Sequence, residues 1–393
     1  MIGDVVEWLI GQALAETSLE EMFEGTCERL QEAGIPVARA HITFRVLHPL
    51  YEATGLTWRP GGVEKQDYAH RSADEPGQAF SSSPLFYMIN ERIELKRWRL
   101  DEDEEACGKF SVLADFREEG LTDYFAYLIY FGGGPEDGVA GSWATKRKEG
   151  FTDEEIEELK RVQKRLGVAC KLRVKEQIAL NVVSTYLGNG AGRRVLQGQI
   201  QRGDGESIRA AIWYSDMRGS TRMADTLPRD TYINTLNEYF ECTGGAVRAE
   251  GGEVLGFIGD AVLAIFPFED GDGEAENVCA HVLEASRKAQ SQLEHVNKVR
   301  KEQGKEPLSF GLALHLGDVV FGNIGLPERV SFSVIGPTVN EVARIEALTK
   351  ELHHDVLASS EFARHTSINW EKLGSFELRG VGEPVEIVSP ADG

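Results

Sequence analysis

Apolar positions along this chain of 393 residues keep two rhythms, and the places where one gives way to the other divide it into regions. Up to about Gly150 the rhythms mix. A helix is expected around Leu19 to Ala33, strands at Ala40 to Leu47 and Tyr124 to Phe131, and a closing sheet segment at Gly141 to Thr145, with polar loops between them. This first region reads as a small α/β domain. Thr152 followed by Glu155 forms a capping box, and Leu159, Val162, Leu166 and Ala169 then recur at alternating steps of three and four. That spacing predicts a helix to about Tyr186 that packs against a partner helix. The glycine-rich stretch Gly188 to Gly192 and the polar Gln199 to Ser207 predict a break, with a boundary near Gly205.

From Ile208 the order is strand, helix, hairpin, helix, strand, hairpin, helix and further strands, an α+β arrangement. Leu236, Tyr239, Phe240 and Val247 lie on a helix after Pro228, and Val254 to Phe266 reads as a hairpin turning near Gly259-Asp260. Phe310, Leu312, Leu314 and Leu316 alternate as a half-buried strand, with Val319 to Ile324 expected to pair back on it. The helix after Pro337 carries Asn340 and Arg344 on one face.

Composition narrows the class. The 41% of hydrophobic residues suffices for two cores. The formal charge of -22 argues against a nucleic-acid or anionic-membrane partner. Five scattered cysteines without close pairs point away from a disulfide framework or a zinc site. No signal-like start and no bilayer-length apolar run occur, so a cytoplasmic location is expected.

Candidate chemistry concentrates in two aspartates. Asp216 closes the apolar run from Ile208 and leads into Met217-Arg218-Gly219-Ser220-Thr221; Asp260 follows Phe257-Ile258-Gly259 and precedes another apolar run. Two carboxylates brought together at strand ends suit divalent metal ions carrying a phosphorylated substrate. Either aspartate alone reads as a turn or cap residue, Asn340 and Arg344 as a solvated helix face, and Arg379 as a surface base. Asp270-Gly271-Asp272-Gly273 lacks the further ligands of a calcium loop and reads as a solvated loop.

Taken together, the region from about Ser207 to Pro390 resembles the catalytic domain of the class III nucleotidyl cyclases. Tyr214 to Thr221 is similar to that family's first metal motif, Ile258 to Phe266 to its second, and Val334 to Arg344 to its transition-state helix. The resemblance implies a ferredoxin-like α+β fold and conversion of a nucleoside triphosphate, ATP first, to a cyclic nucleotide and pyrophosphate. It implies two Mg²⁺ or Mn²⁺ ions per site on Asp216, Asp260 and the Met217 carbonyl, and a phosphate cradle of Met217, Arg218, Gly219, Ser220 and Thr221. Asn340 would position the ribose, Arg344 would meet charge growing on the α-phosphate, and Arg379 would hold the triphosphate. Since the family builds each site from two subunits, a head-to-tail homodimer is implied as well.

Two positions depart from the family pattern. The lysine that usually reads adenine is Gly256 here, and the usual Asp or Thr is Ser333. A hydroxyl can take the second role, but glycine cannot replace a lysine donor. Guanine or pyrimidine nucleotides, or a catalytically silent nucleotide-binding sensor, are therefore the alternatives.

The first region resembles a GAF-type sensor domain in layout. Its aromatic residues, among them Trp58, Phe86, Tyr87, Trp98, Phe110, Tyr124 and Phe125, are core residues first and pocket residues second. The resulting division is a regulatory domain with an unknown ligand at 1–151, a helical dimerising linker at 152–205 and a cyclase domain at 206–393.

Overall fold

The computed structural model describes residues 2–15, 17–70, 82–132, 137–269 and 271–391; Asp270 of the acidic loop lies outside them. The chain forms two compact units, Met1–Thr185 and Tyr186–Gly393.

In the first unit α1 (Ile2–Leu14) and α2 (Leu19–Glu32) precede β1 (Arg39–Arg45), β2 (Tyr51–Arg59) and β3 (Gly62–Ala69). Then come α3 (Pro84–Glu91), β4 (Leu95–Arg99), α4 (Glu104–Lys109), α5 (Ser111–Glu118), β5 (Asp123–Tyr130), β6 (Gly138–Thr145) and the long α6 (Asp153–Leu187). The strands make one antiparallel sheet in the order β3-β2-β1-β6-β5-β4. Strand alternation sends Ala40 and Ile42 of β1 into a core with Phe23 of α2 and Leu159 of α6, while Trp98, Phe110 and Leu113 belong to a second cluster.

The capping box at the start of α6 forms as expected: Thr152 N donates to Glu155 Oε2 at 2.7 Å, and Glu155 N to Thr152 Oγ1 at 3.2 Å. The apolar stripe on that helix has another destination. Leu159, Val162, Leu166 and Ala169 are buried in the core of their own unit, against its sheet and α2, so they do not pack on a partner helix. Three-four spacing marks a buried face; it does not say what buries it.

In the second unit the glycine-rich stretch expected to be a break is α7 (Asn189–Leu196). The Glu253 carboxylate accepts from the backbone N–H groups of Gly190 and Ala191, at 2.9 and 3.2 Å, and so satisfies the helix start that no side chain of its own caps. There follow β7 (Gly205–Met217), α8 (Ser220–Thr226), α9 (Arg229–Ala249), β8 (Glu253–Ile258), β9 (Ala261–Phe268) and α10 (Glu274–Glu302). The last elements are β10 (Phe310–Leu326), β11 (Arg329–Ile335), α11 (Pro337–Leu352), β12 (Val356–Ser359), α12 (Ser360–Ala363), β13 (Trp370–Phe376) and β14 (Val385–Pro390). The sheet runs β13-β14-β12-β10-β7-β9-β8, with β11 also paired to β10. All neighbours are antiparallel except β10 and β12.

Val319 to Ile324 does not fold back on Phe310 to Leu316. Both belong to one continuous strand, and its far half pairs with β11. Gly317, in the middle of that strand, admits α11: a Cβ there would come within 2.6 Å of the Thr338 side chain. Both faces of this sheet are covered. Trp213 and Leu312 pack among residues of α9 and α10, whereas Ile212 and Ala313 pack against Val342 and Ile345 of α11.

All five cysteines are buried. Among the described residues no helix is long and apolar enough to cross a membrane.

Candidate functional site

Asp216 sits one residue from the end of β7, directly opposite Ala261 of β9 and Gly311 of β10. Asp260 immediately precedes Ala261, in the turn that Gly259 closes at φ +65°. Both carboxylates therefore lie at the same end of adjacent strands, as the sequence predicts. Their joint reach shows in Tyr214: burial raises its hydroxyl above the ordinary value, and the charges of Asp216, Glu346 and Asp260 push the same way. The strand end is pinned from the other face, where Ser215 Oγ accepts from Trp213 Nε1 at 3.1 Å and from Tyr239 Oη at 2.9 Å, all three residues being buried.

After the buried Met217 the backbone turns sharply. Gly219 adopts the left-handed region at φ +73° and caps α8 without any side-chain cap, leaving the first N–H groups of that helix at Ser220 and Thr221 next to the two acids. Arg218 is committed elsewhere, contrary to its place in the expected phosphate cradle. Its backbone N–H donates to Ser309 O at 2.8 Å, and its guanidinium bonds Thr349 Oγ1 and Glu346 Oε1, the latter at 3.3 Å. Glu346 is 4% exposed, so a cation beside it offsets the cost of burying its charge. Burial still raises its pKa, the Asp216 charge adds to this, and Lys350 and Arg218 oppose it.

Two of these groups, Glu346 and Lys350, were not singled out in the sequence. Lys350 Nζ stands 3.2 Å from Asp216 Oδ1. The available signal is an acid in the apolar stripe of α11: Val342, Ile345, Glu346 and Thr349 share its buried face.

Asn340 and Arg344 lie on the same helix but do not meet the aspartates of their own chain. Near the start of α11, Thr338 Oγ1 donates to Asp318 O at 2.7 Å, and Asp318 is paired with Arg209 of β7. Seven residues of strand separate Arg209 from Asp216, about 23 Å at 3.3 Å per residue. Near the other end of α11 Lys350 contacts Asp216, so the helix spans the sheet lengthwise. Arg344 is directed to the loop between β13 and β14, where a Cβ on Gly380 would be 3.7 Å from its guanidinium. The exposed Arg379 is the chain neighbour of that glycine, so both arginines lie at this loop. Along α11 Asn340 and Arg344 stand ten and six residues before Lys350, about 15 and 9 Å of helix rise from the contact with Asp216, and these are the two halves that one chain keeps apart.

Gly256 lies on β8 opposite Leu263, after a bulge, and a side chain built there would meet nothing within 4 Å. Ser333 is half-buried on β11, opposite Gly322.

The family model of the adenylate and guanylate cyclase catalytic domain matches residues 205–388. Residues 205–388 belong to that family. An adenylate cyclase of Anabaena cylindrica is 33% identical over 192 residues, covering 48% of this chain and 36% of that protein. An uncharacterized protein of Mycobacterium tuberculosis is 32% identical over 190 residues, covering 47% and 32%. The chain thus aligns with about a third of the length of these curated relatives. The crystal structure of the guanylyl cyclase Cya2 is 26% identical with a TM-score of 0.41, over 48% of this chain and 93% of that one. In every case roughly half of this chain is aligned, so the family statement applies to the cyclase domain and not to the first unit.

Proposed function

We propose that the chain is a nucleotidyl cyclase that converts ATP to 3',5'-cyclic AMP and pyrophosphate at sites shared by two copies. The observation that carries this reading is the placement of Asp216 and Asp260 beside the left-handed turn at Gly219, inside a domain of the cyclase family.

The reaction needs a ribose 3'-hydroxyl aimed at the α-phosphorus, a held triphosphate, and stabilisation of charge on the leaving pyrophosphate. The free N–H groups at Gly219, Ser220 and Thr221 would bind the β- and γ-phosphate oxygens. Asn340 would hydrogen-bond the ribose and fix the attacking oxygen. Arg344 would face the α-phosphate, where negative charge grows, and Arg379 would hold the terminal phosphates.

The family implies divalent cations, Mg²⁺ or Mn²⁺. Among the described residues no group of three or more His, Cys, Asp or Glu gathers around a possible ion site. That fits a magnesium-type ion, which binds one or two carboxylates and takes its remaining ligands from substrate phosphates and water. Asp216, Asp260 and the Met217 carbonyl would hold it, and when bound it would lower the pKa of the attacking hydroxyl and neutralise the phosphates.

The separation of the two halves on one chain supports a head-to-tail homodimer in which each site takes its acids from one copy and Asn340, Arg344 and Arg379 from the other. So does an unpaired apolar face: Val320, Ile324 and Leu326 on β10 and Ile335 on β11 are exposed, with Ser333 between Ile335 and Ser331 on that ribbon. In this reading residues 1–151 form the regulatory part, 152–205 a linker that brings the chains together through the exposed Val168, Leu172, Val182 and Tyr186 of α6 and not through its buried Leu159 stripe, and 206–393 the cyclase.

The test is product analysis of the purified chain with ATP, GTP, CTP and UTP, under Mg²⁺ and then Mn²⁺, with folded Asp216→Ala and Asp260→Ala variants alongside. Cyclic AMP from the wild type and almost none from either variant is expected. Cyclic GMP as the main product would move the reading to guanine, a change that the missing side chain at Gly256 makes chemically reasonable. No cyclic product from any nucleotide would leave a nucleotide-binding sensor.

A further inference from the structure

The sheet of the first unit has two unlike faces. One carries the apolar core under α2 and α6. The other turns Arg39, His41, Thr43 and Arg45 of β1 toward α3 and α5, and between sheet and helices lies a cavity of about 1000 Å³. Aromatic and aliphatic side chains, among them Phe86, Phe116, Tyr124 and Leu128, make up much of its wall.

Within that wall one cation, Arg39, has no counter-ion in contact among the described residues, although the charge of Glu119 still favours it. The Arg39 guanidinium lies over the Phe116 ring at 4.5 Å, makes no ion pair among the described residues, and keeps a buried Nε that bonds to nothing. Burial lowers its pKa, the mark of a charge that has lost water without gaining a full replacement. Tyr130, also in the wall, has a buried hydroxyl with no partner, but it lies six residues along β5 from Tyr124, the residue level with Arg39, and so belongs to the other end of the space. The third polar group, His41, is occupied: its Nδ1 is 2.9 Å from Thr57 Oγ1, and burial holds the ring neutral. Arg45 and Glu52 also border the space.

A buried guanidinium nitrogen without a partner, facing an aromatic space, is costly unless something fills that space. The space is at the upper end of small-molecule sites, roughly 300–1000 Å³, and far larger than an inorganic ion requires. We propose that this cavity binds a small organic anion, with its carboxylate or phosphate on Arg39 and a planar apolar body among Phe86, Phe116, Tyr124 and Leu128. Arginine suits this task because its fixed fork meets two oxygens of one anionic group, while the stacked aromatic ring holds the fork in place.

The test is calorimetric titration of the full chain with 1-naphthoate, 1-naphthyl phosphate, the neutral 1-naphthalenemethanol and inorganic phosphate. One or both aromatic anions should bind once per chain, roughly tenfold or more tighter than the neutral alcohol and than inorganic phosphate. Which of the two binds better separates a carboxylate ligand from a phosphate ligand. Arg39→Gln should weaken binding roughly tenfold or more and Arg39→Lys severalfold, with circular dichroism confirming that each variant is folded. The Arg39→Lys arm stands even where Arg39→Gln fails to fold. Absence of binding by both aromatic anions overturns the proposal, as does equal binding of the alcohol or of inorganic phosphate, or wild-type binding in both folded Arg39 variants. Binding is read directly, so its failure leaves the cyclase reading untouched.

Discussion

Gly256 has open space where the resemblance to the cyclases implies a base-reading lysine, and this makes it an informative single position. Ser333 is then the only side chain at the two positions concerned, and a hydroxyl that both donates and accepts separates adenine from guanine poorly. Gly256→Lys should raise the ratio of kcat/KM for ATP to that for GTP, by about tenfold for one added hydrogen bond to a charged donor. An unchanged ratio would mean that another residue reads the base. His41 offers a residue-scale prediction of a different kind. Burial first, and then the Arg39 charge, hold its pKa down to about 3, below the ordinary value near 6.5. The unfolded chain therefore takes a proton that the folded chain refuses: the stability this group contributes is present above pH 6.5 and is lost as pH falls from there toward 3, at about 1.4 kcal/mol per pH unit. Between pH 7 and pH 5 the first unit should lose about 2 kcal/mol more in the wild type than in His41→Gln, measured by urea unfolding at both pH values. Equal losses would show that His41 is protonated in the folded state. The acids at the strand ends are legible in the sequence because short motifs fix them to turns. Lys350 and Glu346 are not, because their partners Asp216 and Arg218 lie more than a hundred residues away, and no local spacing encodes that meeting.

Elements repeat this contrast. The start of α6 can be read from Thr152 and Glu155 alone, since a capping box is satisfied within one turn. What its apolar stripe packs against cannot, since a sheet face and a partner helix demand nearly the same spacing. Because Leu159 is fully buried in its own core, Leu159→Ala should destabilise the first unit by about 2–5 kcal/mol. The fall in melting temperature should be the same at low and high protein concentration; a fall that grows on dilution would return the stripe to a dimer interface. In the second unit the continuous β10 and the helix α7 are missed for a related reason. Gly317 and the glycines from 188 to 192 look like chain breakers, yet one admits Thr338 and the others bring backbone N–H groups onto Glu253. Glycine marks close approach as well as turns, and the neighbour that approaches is invisible in the sequence.

At the scale of the whole molecule, the distance between the Asp216 end and the Asn340 end of α11 makes assembly testable. An Asp216→Ala chain and an Arg344→Ala chain should each be inactive, and mixed heterodimers should regain one intact site of two, so a pure heterodimer should approach about half of wild-type activity and an equal statistical mixture about a quarter. Verified heterodimers without activity would refute the shared site. The buried cysteines bear on the same scale. Three, Cys27, Cys107 and Cys170, lie in the first unit and two, Cys242 and Cys279, in the second. Burial raises the pKa of each thiol, so the reactive thiolate is scarce even where a reagent could reach it. Modification must then wait for the surrounding structure to open. Mass spectrometry of thiol labelling over time, without any engineered probe, therefore clocks the opening of each unit separately.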